Sequence, residues 1–301
     1  MSVYRLLSIG LLALLPGLSV SQDLLSRDRD NPIEAASTLW TEEMTWMEVR
    51  DALREGATTI IIGTGGIEQN GPYVVGGKHN YVLQTVLPYI AEKIGNALIA
   101  PIVKFVPEGA IDPVPTGHMQ YPGTISVEQE TFEALLRDIC RSYAAHGFIH
   151  IVLLGDSGGN QEGMQNVANA LNKVWADDEP RVHYLREFYS EDSWSYEFLK
   201  SRGLTQIDRS APEGEPSDRP AAVRNGIHDD IYYEAQLAVL DPAYIRMEQR
   251  QRAGLFELHG VALDPVDKLV ELGHELAQYR AEITARAFAK SKQRLRPASG
   301  S

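Results

Sequence analysis

The chain has one cysteine, Cys140, so no disulfide can form within it, although an exported protein could have used them. It has no basic run. Its 28 Lys and Arg stand against 41 Asp and Glu, and a formal charge of -13 argues against a nucleic-acid phosphate partner, which clustered cations would have to hold. No apolar stretch reaches the roughly 20 residues that a bilayer span needs, and no internal repeat occurs at solenoid spacing. What is present is 301 residues with 44% hydrophobic content, enough to bury a large core in one big domain or two modest ones.

The N-terminus, MSVYRLLSIGLLALLPGLSVSQ, carries one Arg, a short apolar run, and small residues at Ser19 and Ser21. This order reads as an export signal over residues 1–21, removed in the mature protein and directing it to the periplasm or the medium. Once the signal is cleaved, no membrane span is expected. Residues 22–40 are polar and aperiodic, a leader that wraps the domain surface. The domain itself is expected over 41–295, with an irregular insertion at 190–225 serving as a lid or an oligomer contact. Residues 296–301 are expected to be a disordered tail.

Within the domain, helical and extended patterns alternate. Met44 to Leu53 reads as a helix, with Thr45 and Glu48 in capping-box spacing. Thr58-Thr59-Ile60-Ile61-Ile62-Gly63 is a β-branched run suited to a strand buried on both faces. Then come a helix (Asn80 to Ile94), an extended stretch (Ala97 to Val106), a long amphipathic helix (Val127 to His146) and an apolar strand (Phe148 to Leu154). A helix from Gln161 to Trp175 and a strand from Arg181 to Leu185 follow, and the charged stretch Pro265 to Gln293 reads as a solvated surface helix. Parallel strands need crossover helices, so the expected fold class is α/β, with a mostly parallel sheet between two helical layers in a three-layer α/β/α arrangement.

The string Gly155-Asp156-Ser157-Gly158-Gly159 matches the letters around the nucleophile of trypsin-like proteases. That chemistry needs an all-β double barrel supplying a histidine and a buried aspartate from other loops. An alternating chain with one cysteine does not offer this. The Gly-x-Ser-x-Gly elbow of an α/β-hydrolase also fits literally, with Ser157 as nucleophile and His228, His259 or His274 as its later histidine. Against it, the densest polar and glycine-rich cluster lies in the first half of the chain, from Gly63 to Asn80. That cluster follows a buried strand, where open α/β sheets bind ligands. Glu68 and His79 in it are residue types that ligate first-row metals, although their spacing alone equally suits a surface carboxylate and a helix-start residue.

Several ordered motifs together resemble the creatininase (creatinine amidohydrolase) family. They are Met44-Thr45-Trp46-Met47-Glu48-Val49, Glu68-Gln69-Asn70-Gly71-Pro72, Pro122-Gly123-Thr124-Ile125-Ser126, His146-Gly147-Phe148, Gly158-Gly159-Asn160 and His228 to Glu234. The resemblance spans about residues 40 to 245. It implies a three-layer fold, a homo-oligomer that is often a hexamer, and zinc or manganese at the strand ends activating water against a C–N amide bond of a small molecule.

Carried over by position, Glu68 matches the family's metal-binding glutamate and Glu234 its late glutamate. Asn70, His79 and Ser157 stand where the family has a ligand histidine, a bridging aspartate and another ligand histidine. The reading that follows is one ion rather than two, held by Glu68, His79 and Glu234, with Asp156 assisting proton transfer and His118 near the substrate. Asn70, Tyr73, Gly158, Asn160 and His228 are taken as substrate contacts. Because the changed positions lie where the family would recognise its substrate, creatinine itself is disfavoured. Two alternatives stay open: a non-catalytic binding or scaffold protein that lost its metals, and a serine hydrolase built on Ser157.

Overall fold

The computed structural model describes residues 26–175, 180–190, 192–204, 230–255, 257–258 and 261–295. Helix α1 (Trp46–Arg54) begins with the capping box expected from sequence: Glu48 N donates to Thr45 Oγ1 at 3.3 Å, and Thr45 N donates to Glu48 Oε2 at 2.7 Å. Strand β1 (Thr59–Thr64) is buried at every residue. Helix α2 (Lys78–Ile94) follows, then β2 (Ala97–Ile99), α3 (Gln129–Ala145), β3 (His150–Gly155), α4 (Gln161–Val174) and β4 (Arg181–Tyr184). Two short helices, α5 (Glu187–Ser190) and α6 (Asp192–Ser201), precede α7 (Ile231–Leu240) and α8 (Met247–Ala253). A hairpin of β5 (Glu257–Leu258) and β6 (Val261–Ala262) then leads into α9 (Val266–Arg294).

The first four strands form one parallel sheet in the order β2-β1-β3-β4. From β1 the chain crosses to one side for β2 and to the other for β3. The switch point of the topology therefore lies between β1 and β3, where Thr64 pairs with Gly155. The two-residue period of the strands splits the core. Ile60, Ile62, Ile151, Leu153 and Val182 face α3 and α4 through Phe132, Leu136, Met164 and Leu171. Ile61, Ile99, Val152 and Leu154 face α2 and α9 through Leu83, Leu87, Ala281 and Phe288. The result is the expected α/β/α layering, and each fully buried aliphatic side chain contributes about 1.5–3 kcal/mol. Helix α7 packs outside α2 and α9 around a third apolar cluster that includes Ile231, Leu237 and Leu276.

Three expectations change. The extended stretch Ala97 to Val106 supplies only three strand residues, because Pro101 has no N–H to donate to a ladder. Its continuation keeps a single bridge, with Val103 N donating to Gly63 O and Gly65 N to Val103 O. The segment 190–225 is not irregular throughout, since α6 places Phe198 and Leu199 in the third core cluster. Helix α9 is no solvated surface helix: it buries Ala277, Ala281 and Phe288 against the sheet side of the core, Leu276 against α7, and the charged Arg280. The leader residues 26–40 run along α1, where Arg50 Nη1 donates to the carbonyls of Arg27 and Arg29 and Ala36 N donates to Glu48 Oε1. Residues 1–21, 205–229 and 296–301 lie outside the described residues. Among the described ones, no helix is long and apolar enough to cross a membrane.

Candidate active site at the ends of strands β1 and β3

The turns that leave β1 and β3 are clamped to each other. Asp156 N donates to Thr64 O at 3.1 Å, and Asn160 Nδ2 donates to Thr64 O at 2.9 Å and Gly65 O at 2.8 Å. Gln161 Nε2 closes the second turn by donating to Gly155 O and Ser157 O. Gly159 is needed for close approach, since a Cβ there would lie 2.1 Å from Pro107 O. Pro107 leads into Glu108, whose backbone N donates to Ser126 Oγ at 2.9 Å. The segment after β2 is thereby held over the strand ends.

Four of the predicted residues meet there. His79, in the first turn of α2, lies between two carboxylates, with Nε2 2.8 Å from Glu68 Oε1 and Nδ1 2.8 Å from Asp156 Oδ2. His118 approaches from the surface side, its Nε2 3.1 Å from Glu68 Oε2, and its side chain is 20% exposed where Glu68 is 2% exposed. A fifth, Ser157, joins indirectly by donating its hydroxyl to Glu108 Oε2 at 3.2 Å.

Three further ionisable groups complete the cluster, and sequence reasoning missed all of them. Lys78 Nζ lies 3.4 Å from Glu68 Oε1 and 4.2 Å from the centroid of the Tyr233 ring, with no side-chain exposure. Arg280 reaches from α9 to Asp156, Nη2 to Oδ1 at 2.5 Å, donates to Phe188 O, and lies 3.7 Å over the Phe188 ring. Glu108 stands beside Glu68. Lys78 had one signal, its position next to His79 after a Gly-Gly turn. Glu108 and Arg280 had none in local sequence.

The environment sets the charges. Burial and the neighbouring Lys78 pull the His79 imidazole down, but Glu68 and Asp156 outweigh them and raise it to about 9, so it is the doubly protonated cation at neutral pH. Burial raises Asp156, yet Arg280 and His79 prevail and hold it below the usual carboxylate range. Burial, reinforced by the charge on Glu68, pushes Glu108 up to about 8, which keeps it protonated at neutrality. Burial pulls the Lys78 ammonium down against the attraction of Glu68 and Asp156.

The other predicted residues are placed differently. Glu234 does not join Glu68 and His79: its Oε2 pairs with Arg250 Nη1 and its Oε1 accepts from Arg250 Nη2 at 3.0 Å. The Arg250 guanidinium also lies 4.6 Å over the Tyr73 ring, which places Tyr73 beside this second ion pair. Asn70 braces its own turn, Nδ2 donating to Glu68 O and Val75 O. Asn160 is the clamp described above, and Gly158 is exposed beside Tyr189. His228 lies outside the described residues. The Ser157 hydroxyl donates to Glu108, and among the described residues no histidine hydrogen-bonds it.

The predicted metal ligands fit an ion poorly. Among the described residues, no group of three or more His, Cys, Asp or Glu side chains is arranged to hold a metal. Both nitrogens of His79 face carboxylates, whereas a ligating imidazole turns one nitrogen to the ion.

A family model described as creatinine amidohydrolase (creatininase) matches residues 42–276. A search of curated proteins finds no match. Among solved structures, a creatinine amidohydrolase (creatininase) aligns over 87% of this chain and 100% of its own, with 17% identity and a TM-score of 0.54. A mutant creatininase of Zn-Zn type aligns over 87% and 100% at 18% identity with a TM-score of 0.54. A structure titled Creatininase Mn aligns over 87% and 100% at 17% identity with a TM-score of 0.53. These likenesses agree with the three-layer fold built up above, and the match of the family model over most of the domain decides membership: the chain belongs to the creatinine amidohydrolase family.

Proposed function

We propose that this chain hydrolyses a C–N amide bond of a small polar molecule by general acid–base chemistry at the ends of β1 and β3. Family membership supports the reaction class. The observation that carries the reading is the pair of neighbouring carboxyl groups, Glu68 and Glu108, set in different surroundings. Glu68 faces Lys78, His79 and His118, while Glu108 is kept protonated by burial and by the charge on Glu68. Neighbouring carboxyls in opposite protonation states supply a base and an acid at one pH.

In this reading Glu68 takes a proton from water as the water oxygen attacks the amide carbon. The C–N bond then breaks as Glu108 gives its proton to the leaving nitrogen, yielding an acid and an amine. The positive charges of Lys78 and His79 lie where they stabilise the oxyanion formed on attack. His118, the most exposed member, lies at the entrance and contacts substrate.

Turnover of a panel of cyclic ureas, hydantoins and lactams, followed by loss of the ring and appearance of the ring-opened product, tests this. The expected result is hydrolysis of at least one member, reduced on the order of 100-fold or more in both Glu68→Gln and Glu108→Gln. No turnover across the panel, or Gln variants as active as the parent, would sink it. A second reading, a binding protein that no longer catalyses, is favoured by one observation: every oxygen of Glu68 and Asp156 already faces a nitrogen of Lys78, His79, His118 or Arg280. Saturable binding of a panel member without turnover would establish it.

A further inference from the structure

We infer that Lys78 and Arg280 take over the part that metal ions would play in this site: they neutralise the strand-end carboxylates, so the site forms and holds together without zinc or manganese. The inference rests on the strand-end site described above and concerns how that site is built. It stands or falls separately from turnover.

Three independent features agree. First, each anionic carboxylate that the family pattern would give to a metal or its water already has a fixed cation. Glu68 has the Lys78 ammonium at 3.4 Å, and Asp156 has the Arg280 guanidinium at 2.5 Å. Both cations are held from behind by aromatic faces, Tyr233 under Lys78 and Phe188 under Arg280. Both are nearly inaccessible, at 0% and 2% side-chain exposure. Long cationic side chains are almost never this buried without being paired.

Second, His79 stands at the position of the bridging aspartate and reverses its sign. It joins Glu68 to Asp156 by donating at both ends, where an aspartate would accept from two cations. Third, the other two replaced positions have become part of the scaffold. Asn70 bonds backbone carbonyls and Ser157 donates to Glu108, so neither presents a strong donor to a metal. A divalent ion placed among these groups would stand beside Lys78, Arg280 and His79 and be repelled by all three. Loss of the ligands and gain of the cations describe one substitution, in which mobile charge gives way to covalently attached charge.

The test uses the full chain purified without chelator. Elemental analysis is expected to find less than about a tenth of an equivalent of zinc, manganese or iron per chain, and neither EDTA nor added zinc or manganese is expected to move the melting temperature. Near-stoichiometric metal, or a melting temperature that EDTA lowers, overturns the inference. Lys78→Met is expected to lower the melting temperature by about 6 °C or more, and the double variant Lys78→Met/Glu68→Gln to recover part of that loss, since it removes the carboxylate left without its cation. An unchanged melting temperature in the single variant, or no recovery in the double one, also overturns it. A metal-free protein that hydrolyses nothing would defeat the hydrolase reading alone. A protein that carries zinc and hydrolyses an amide would defeat this inference alone.

Discussion

At the scale of single residues, the site is governed by what a buried charge requires. Asp156 is fully buried and has two charged partners, His79 and Arg280. Removing one partner of such a pair costs far more than the pair contributes, because the remaining charge stays desolvated. Arg280→Met is therefore expected to lose about 3–5 kcal/mol in urea unfolding; a loss under about 1 kcal/mol would mean that Asp156 is not charged in the fold. The pH dependence follows from the same groups. His79 is raised from 6.5 to about 9, so its contribution is complete below the lower value and is lost as pH rises through the upper one. Glu108, raised from 4.5 to about 8, has the same sign: the fold favours its neutral form, and that preference becomes a penalty as pH rises through 8. Lys78, pulled down by burial, acts in the opposite direction, and Asp156, held low, contributes above its ordinary range and loses that contribution in acid. The melting temperature is expected to fall between pH 7 and 9.5, and to fall less steeply in Glu108→Gln. Parallel curves for the two proteins would remove Glu108 from the account.

At the scale of elements, what could be read in the sequence followed periodicity, and what could not depended on distance along the chain. Ile60 to Ile62 and Ile151 to Leu154 announce buried parallel strands because no polar residue interrupts them, and Thr45 and Glu48 announce α1 because capping chemistry is local. Glu68, His79 and Asp156 were legible because each lies on or just after a turn that leaves a strand or enters a helix. Arg280 was not, since 124 residues separate it from Asp156 and α9 carries charges along its whole length. Its burial is a property of the α9 contacts with α2 and α7, which no window of sequence contains. Glu234 misled although its partner is only 16 residues away, because the turn between α7 and α8 that brings Arg250 onto it leaves no local signal. The packing of α9 on α7 has a sharp test at Gly273, where a Cβ would lie 2.2 Å from the backbone oxygen of Ala235. A backbone atom cannot swing aside, so Gly273→Val is expected to force the helices apart and cost about 1–3 kcal/mol. A neutral result would show that α7 can slide.

At the scale of the whole molecule, the chain keeps the layered family fold while exchanging the chemistry of its strand ends. The segment that carries Glu108 and His118 also exposes Phe105, Val114, Tyr121 and Ile125, an apolar fringe on an otherwise acidic protein. Copies are expected to associate there, so light scattering should give a multiple of the mass of a single chain. A monomer at micromolar concentration would leave that fringe without the proposed partner. The central claim, that fixed cations stand in for metal ions at the ends of β1 and β3, is tested most directly by a crystal structure of the full chain grown in excess zinc, with anomalous data collected at the zinc edge. The expected map shows Lys78 against Glu68, Arg280 against Asp156, and no anomalous peak among them; a zinc peak coordinated by Glu68 and His79, with Lys78 turned away, would mean that metal rather than fixed cations holds the site.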